Sequence, residues 1–428
     1  MATKSLFEAY KNRLAVAESV HKKMHLGESM TNNKKLVTAK CLENVNRFMN
    51  EAFDAAQGTQ RADMNTFKKF AMNLTTVAVP NLIAHDLVIV HPMSSMAGYV
   101  TYIEYSYSAT KGATTAGDMI SNPFGFGTVD PNYTSYKVVE TIAKDQEELA
   151  WGPVIEGSVE KYEGGKWVQA DSYTAEGTYV PYAPVEGDKV RYSYNNVIVP
   201  QDKLPTIKAE MKSIPLVAKA RRIAVYYSQI AAYQAKTDYG VDLGDQLAEK
   251  AVGELAYEID TEITNMLAEN AAEDTKLVWS KTLPVGVSKT EHYEGFVEVL
   301  EIAKQKIYDA TKKFAPNFVL ASSSIMPVLS LVKGWKPASL GQVNGPYMAG
   351  TINGLKVFVT PNLEQGKFVV GCNGSDMMSS AAVYAPYMAI VPTQLLGFAD
   401  GGMSQGWSTL YDLRMLNKSL LIAGRITD

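Results

Sequence analysis

The sequence predicts an α+β protein, and three observations carry that reading. Between about 242 and 271, Leu243, Leu247, Ala251, Leu255, Ile259, Ile263 and Leu267 repeat at i,i+4 without a break. That stripe marks an amphipathic helix, and roughly thirty residues at 1.5 Å each make a rod of about 45 Å. Upstream, two strand-like runs at 99–107 and 207–212 bracket roughly 95 residues of short Tyr/Val/Thr runs broken by glycines. The last third, from about 278, alternates helical and strand-like texture.

Composition sets the outer bounds. The chain has 428 residues, 46% hydrophobic and 20% charged, which excludes wholesale disorder and allows two or three cores. A net charge of -4 argues against nucleic-acid binding over the whole surface. Cys41 and Cys372 are too few for a disulfide framework or a cysteine zinc site, and five histidines are few for a metalloprotein. No run reaches membrane-span length. The first residues, Met1-Ala2-Thr3-Lys4, lead into a charged segment without an apolar signal core, so the expectation is a soluble protein made in a cytoplasm. Tyrosine is unusually frequent, 24 against 13 phenylalanines, and its apolar face with a polar tip suits contacts near water.

From 4 to 56 the chain reads as helical. Leu36, Val45, Met49 and Phe53 recur at helical spacing, with Thr31, Asn32 or Asn33 available as a cap. The apolar stripe is thin, which predicts an extended arm, and Gln57-Gly58-Thr59-Gln60 ends it. A helical stretch then stops before Pro80, 82–90 is apolar, and a turn at His91-Pro92 leads to the aromatic and β-branched run 99–107. In Ile207-Lys208-Ala209-Glu210-Met211-Lys212, apolar and polar positions alternate. That predicts an antiparallel partner strand with one covered and one wet face. The insert between them opens with a Gly/Thr-rich stretch, 110–128. It continues with Trp167-Val168, Tyr179-Val180 and Val190-Arg191-Tyr192 between glycine turns, the pattern of a small all-β module at about 150–200.

The long helix is acidic away from its stripe, with Glu249, Glu254, Glu258 and Glu262 among its carboxylates. Just upstream, Lys208, Lys212, Lys219, Arg221 and Arg222 face Glu210 alone. The basic ribbon can pair with the acidic rod inside one chain. It can equally steer one subunit's ribbon onto the next subunit's rod, since complementary charge speeds encounter and fixes register. Beyond the rod, 293–313 reads as helix, 317–321 as strand and 323–332 as helix. Strands are expected at 355–360, 367–372, 383–391 and 410–423.

Enzyme motifs are thin. Gly125-Phe126-Gly127 begins a dinucleotide fingerprint, but Asp130 stands where its third glycine belongs. Gly165-Lys166 and Gly366-Lys367 lack the Ser or Thr of a phosphate loop. Gly402-Met403-Ser404-Gln405-Gly406 spells a nucleophile elbow, yet no histidine follows it, and a turn is expected. His85 and His91 beside Asp86 read as structural, and His21 and His25 as a solvated helix face. Ser322-Ser323-Ser324 reads as a helix cap rather than an anion site. No catalytic, cofactor or metal residues are assigned. An α/β enzyme with a β accessory domain remains the reading from a different class. An arm, a long hairpin and a bare rod bury too little area to be stable alone, which points to assembly.

That order of elements resembles the Hong Kong 97-type fold of tailed-phage major capsid proteins. Local strings are similar to those of the large contractile-tailed phages: Pro80-Asn81-Leu82-Ile83-Ala84-His85-Asp86 with His91-Pro92-Met93, and Ala218-Lys219-Ala220-Arg221-Arg222 through Tyr226-Tyr227-Ser228. Asn317-Phe318-Val319-Leu320-Ala321-Ser322 and Tyr384-Ala385-Pro386-Tyr387 belong to the same set. The resemblance runs from about 67 to the C-terminus, excepting the insert. It implies an N-terminal helical arm at 1–66, a first peripheral part at 67–109, and an extended loop with the β module at 110–203. A return strand and spine helix at 204–277, an axial domain at 278–391 and a C-terminal return at 392–428 complete it.

The same resemblance implies hexamers and pentamers in an icosahedral head around double-stranded DNA, with no sequence-specific DNA binding and no membrane. Portal, scaffold and maturation protease would be partners during assembly in the host cytoplasm. An encapsulin-like nanocompartment shell is the nearest alternative. Some relatives lose an N-terminal peptide after glutamate in a Leu-x-Glu setting, and Leu26-Gly27-Glu28-Ser29 fits, which makes Glu28 and Ser29 the candidate cleavage site.

Overall fold

The computed structural model describes residues 2–24, 29–55, 71–73, 75–80, 82–112, 114–122, 124–127, 129–144, 146–174, 176–195, 197, 204–240, 243–338, 345–374, 376–393, 396–399 and 401–427. In chain order, helices α1 (Ala2–Ala9), α2 (Lys11–Met24), α3 (Asn32–Ala55) and the short α4 (Ala84–Leu87) precede β1 (Ala97–Tyr107). Then come β2 (Lys137–Thr141), β3 (Glu160–Glu163), β4 (Lys166–Gln169), β5 (Lys189–Ser193), β6 (Ile207–Val217) and β7 (Lys219–Ser228). Helices α5 (Gln229–Tyr239) and α6 (Leu243–Asn270), strand β8 (Ala272–Ser280) and helix α7 (Lys289–Thr311) follow. The chain closes with β9 (Phe318–Ser322), β10 (Tyr347–Ile352), β11 (Leu355–Thr360), β12 (Lys367–Gly371), β13 (Ala382–Pro392), β14 (Gly402–Met415) and β15 (Leu421–Thr427). Contacts divide these into two compact units, Met1–Val100 with Ile214–Asp428, and Thr101–Ser213.

Local chemistry explains the helix ends. Thr31 Oγ1 accepts from Lys34 N at the start of α3, one of the three predicted caps. Ser228 caps α5 by accepting from Ile230 N, and Gly240 closes it in the left-handed region at φ 67°. Ser288 and Glu291 form a capping box at the start of α7.

The first unit holds two sheets. One runs β8-β15-β12-β9-β11-β10, with Lys336–Pro337 beyond β10. Strands β9 and β11 are parallel, as are β8 and β15, while β9 and β12 are antiparallel. The other runs from Ile89–Val90 through β13 and β14 to β7. Strand β7 pairs antiparallel with β14 from Lys219↔Tyr411 to Ser228↔Gly402. The predicted helical stripe is the buried face of α6. Ile259, Ile263 and Leu267 enter the main core with Phe296 and Leu300 of α7, while Ala251 and Leu255 pack with Ile390 and Trp407. Each such Ile or Leu contributes about 1.5–3 kcal/mol by leaving water.

The structure corrects several local expectations. Helix α3 is not an arm, because it carries two apolar stripes and reads as thin only when they are counted as one. Val37 and Cys41 enter the main core, while Leu42, Val45 and Met49 enter a second cluster with Val383, Ala385 and Met388 of β13. Asn44 Nδ2, itself buried, donates to Met93 O and Tyr387 O, both at 2.7 Å. The expected strand at 410–423 is the end of β14 and the start of β15, parted by a 3-10 turn at Lys418–Leu420 and lying in different sheets. The helix expected at 323–332 is a 3-10 turn, Ser323–Ile325, and one helical turn, Met326–Leu329.

In the second unit, β2-β5-β3-β4 form an antiparallel sheet over Val138, Ile142, Leu149, Trp151, Val159, Val190, Tyr192 and Tyr194. Its core therefore also uses residues upstream of 150. The β3–β4 hairpin turns on Gly164 (φ 56°) and Gly165 (φ 84°), two successive left-handed positions that suit a two-residue hairpin loop. Lys111 is 2% exposed and ties this unit together. Its ammonium donates to Tyr133 O, Ser135 O and Tyr194 Oη, 4.8 Å from the Trp151 ring centre. Strand β6 lies beside β1, as the alternation predicts. The predicted covered face is absent, however: residues 207–213 are exposed or half-buried on both faces, because nothing among the described residues lies over them.

Candidate assembly surface

The charged residues singled out from the sequence fall into two groups. Arg221 on β7 reaches Glu262 of α6 at 2.5 Å, and Tyr411 of β14 donates to the other oxygen of the same carboxylate, also at 2.5 Å. The guanidinium stands 5.3 Å from the Tyr411 ring centre. Burial and this bond to Glu262 raise the Tyr411 phenol above its ordinary range. Lys208 pairs with Glu210 and Lys212 with Glu104, each at 2.5 Å. The bond from Lys208 lowers the Glu210 carboxyl, and the bond to Glu104 raises the Lys212 ammonium. Lys208, Lys212, Arg221 and Glu262 therefore have partners within the chain. Among the described residues, Lys219, Arg222, Glu249, Glu254 and Glu258 make no ion pair.

The outward face of α6 borders a groove of about 530 Å³. Tyr257, Met266 and Leu413, all partly buried, give it an apolar floor, and the exposed Glu254, Glu258 and Glu269 stand at its rim. The i,i+4 spacing of Glu254 and Glu258 follows from the same periodicity that buries the opposite stripe.

Large apolar side chains are also left open. Tyr99 on β1 is 71% exposed and Met211 on β6 76%, while Ile230 and Tyr233 on α5 reach 70% and 72%. No described side chain of α5 is buried, although the helix is capped at both ends. An eleven-residue helix with so little burial is marginal alone. Exposed apolar surface on this scale marks places that other molecules cover.

The remaining candidates resolve into structure. Gly402-Met403-Ser404-Gln405-Gly406 is the start of β14, with Ser404 opposite Tyr226, so it is neither an elbow nor the expected turn. Gly125-Phe126 is a two-residue strand. His85 Nε2 lies 3.1 Å from Val79 O, and burial, helped by Lys34, pushes its pKa down to about 4. Burial also lowers His91. His21 is 2% exposed, which corrects the solvated-face reading, since α2 turns that side toward α3. Ser322 and Ser324 hydroxyls bond each other and accept from Gly366 N, so the serine run fastens a turn. His25 and Glu28 lie outside the described residues, and Ser29 is exposed. Among the described residues no group of three or more His, Cys, Asp or Glu could hold a metal ion, and no helix is long and apolar enough to cross a membrane. One feature escaped the sequence reading: Leu283-Pro284-Val285-Gly286-Val287, an apolar turn between β8 and the capping box of α7. Its Pro and Gly mark the turn, and its apolar residues stand where turns are usually polar.

Strands with exposed apolar side chains, a helix open to solvent along its length and a charged groove are features of a chain that other molecules cover. Residues 64–415 match the family described as major capsid protein Gp23, and the chain belongs to that family. It is therefore a structural protein of a bacteriophage capsid. It is similar to the major capsid protein of Escherichia phage AR1, 23% identical over 405 residues that cover 80% of this chain and 74% of that one. The major capsid protein of Enterobacteria phage T4 is 22% identical over 390 residues, with shares of 80% and 74%. The match to Vibrio phage KVP40 is shorter, 25% over 199 residues, and spans 41% of this chain and 38% of that protein. Among solved structures, a chain from Microbacterium phage Oxtober96 aligns over 80% of this chain and 90% of its own, at 11% identity and a TM-score of 0.39. The capsid of Myoviridae phage XM1 aligns over 54% and 80%, at 9% identity and 0.38. These structural likenesses are too distant to add to the argument.

Proposed function

We propose that copies of this chain self-assemble into hexamers and pentamers that close an icosahedral head around double-stranded DNA. The chain acts as a shell component rather than an enzyme. The match to the family over 64–415 carries this reading, and the uncovered apolar strands and helix support it. Each contact between copies can be weak, because overlapping contacts hold a subunit that has lost any one of them. Portal, scaffold and a maturation protease are the proposed partners, and the host cytoplasm the place of assembly. Electron microscopy of the high-mass fraction, from the chain expressed alone and with adjacent phage proteins, tests this. Closed shells or hexameric capsomers are expected, and DNA content separates a phage head from an encapsulin-like compartment. A discrete monomer or dimer in every condition refutes it.

Lys219, Arg222, Glu249, Glu254 and Glu258 are the charges left for contacts between copies. Deleting 110–199 should leave the first unit folded but impair assembly, and normal shells of normal stability would sink that part. Cleavage between Glu28 and Ser29 is proposed as a maturation step. Its support is position: it would fall between the end of α2 at Met24 and the start of α3 at Asn32. N-terminal sequencing of protein from mature virions decides it, and an intact N-terminus rejects it.

A further inference from the structure

We propose that Asp412 is a positioning residue for assembly: its carboxylate pins the corner at 217–218, so that the exposed β1–β6 pair meets a neighbouring copy already ordered at its root. The inference rests on the shell reading above and adds a residue to which that reading gives no part.

The chain changes sheets at this corner. A single residue, Ala218, separates β6 from β7. Strand β6 pairs with β1, whereas β7 pairs with β14 from Lys219↔Tyr411 onward. Ala218 N donates to Met96 O at 2.8 Å, just before β1 begins. Where one ladder gives way to another, a backbone donor needs an acceptor that neither ladder supplies. Val217 N finds it in Asp412 Oδ2, at 2.9 Å.

That carboxylate is itself held in place. Asp412 is 5% exposed and stands opposite Ala385 in the β13–β14 register. Its Oδ1 accepts from Leu413 N at 3.0 Å, and its Oδ2 also accepts from Arg414 Nε at 3.1 Å. Next to Val217 in sequence, Leu216 is buried in the second cluster with Met93 and Val100. All of these residues belong to the first unit. Beyond them, 207–213 are exposed or half-buried on both faces, so the pin stands where the cover ends. Strands free to swing at their root would lose that freedom on docking. Pinned strands lose little, so Asp412 favours association without touching the partner.

The test separates positioning from general stability. Asp412→Ala removes the acceptor, while Asp412→Asn keeps an oxygen for Val217 N. Ile263→Ala, in the main core rather than the second cluster, is the destabilised control. Shell formation is followed by light scattering at equal concentrations, in conditions where circular dichroism shows every variant folded. Asp412→Ala should assemble about ten-fold more slowly than wild type, the size of effect one lost hydrogen bond carries. Asp412→Asn and Ile263→Ala should both stay close to the wild-type rate. A wild-type rate for Asp412→Ala overturns the proposal, and so does equal slowing in Ile263→Ala. Asp412→Asn as slow as Asp412→Ala overturns it too, because the bond to Val217 would then not be what matters. If Asp412→Ala does not fold, hydrogen exchange of the unassembled wild-type chain decides. The Val217 amide should exchange far more slowly than in an unstructured peptide of the same sequence, and equal rates overturn the proposal. Failure of the unmodified chain to form shells would refute the shell reading itself, a different result from shells that Asp412→Ala forms at full speed.

Discussion

Replacing Asp260 by asparagine should flatten the pH dependence of stability in the first unit. Asp260 sits in the middle of α6, 9% exposed, and its Oδ1 accepts from Ile83 N at 3.2 Å, just before α4. Burial pushes its pKa up to about 8, against the ordinary carboxyl value of 3.8. Because the folded value lies above the unfolded one, the contribution to stability is fully present below pH 3.8 and is lost as pH rises toward 8. Between those limits the unfolded chain has released a proton that the folded chain keeps. Each pH unit then costs about 1.4 kcal/mol, so the rise from pH 5 to pH 8 removes up to about 4 kcal/mol. In the Asp260→Asn variant the side-chain amide oxygen would still accept from Ile83 N, and the amide cannot titrate. It introduces an offset, but one that is constant with pH. Urea unfolding of the unassembled chain at pH 5, 6, 7 and 8 reads the effect as the difference between wild type and variant. The variant should gain about 2–4 kcal/mol relative to wild type between pH 5 and 8. Parallel curves for the two proteins across that range would refute the reasoning.

Other outcomes follow from the same contacts. Lys111→Met removes the donor to Tyr133 O, Ser135 O and Tyr194 Oη, leaving buried acceptors. It should destabilise the second unit by about 3 kcal/mol or more, read as faster limited proteolysis within 137–195. Ile263→Ala empties a fully buried site on α6 and should cost about 2–5 kcal/mol in urea unfolding. Glu262→Gln breaks the pair with Arg221, but the side chains of this pair are 41% and 35% exposed. A loss of no more than about 1 kcal/mol is expected, and a much larger one would mean the pair is shielded from solvent.

Periodicity alone determined which face of the long helix is buried, because a 3.6-residue repeat commits one side of a rod wherever the rod lands. Leu255, Ile259, Ile263 and Leu267 could be read as core from the sequence, and Glu254 and Glu258 as its solvent side. Glycine punctuation marked the short strands of the second unit for the same local reason. Other features depend on residues far apart in sequence, and no local pattern encodes them. Arg221, Glu262 and Tyr411 meet because β7, α6 and β14 pack together, a pairing within the chain that no local pattern encodes. Helix α3 looked like an arm because two narrow stripes facing two different clusters do not add up to one wide stripe. The alternation in β6 correctly signalled a strand, yet alternation cannot say whether anything lies on the apolar side. Gly402–Gly406 spelled a turn and is a strand, because pairing with β7 outweighs the local preference of its glycines. Sequence thus fixes what each segment can bury, while tertiary packing decides what is buried, and by what.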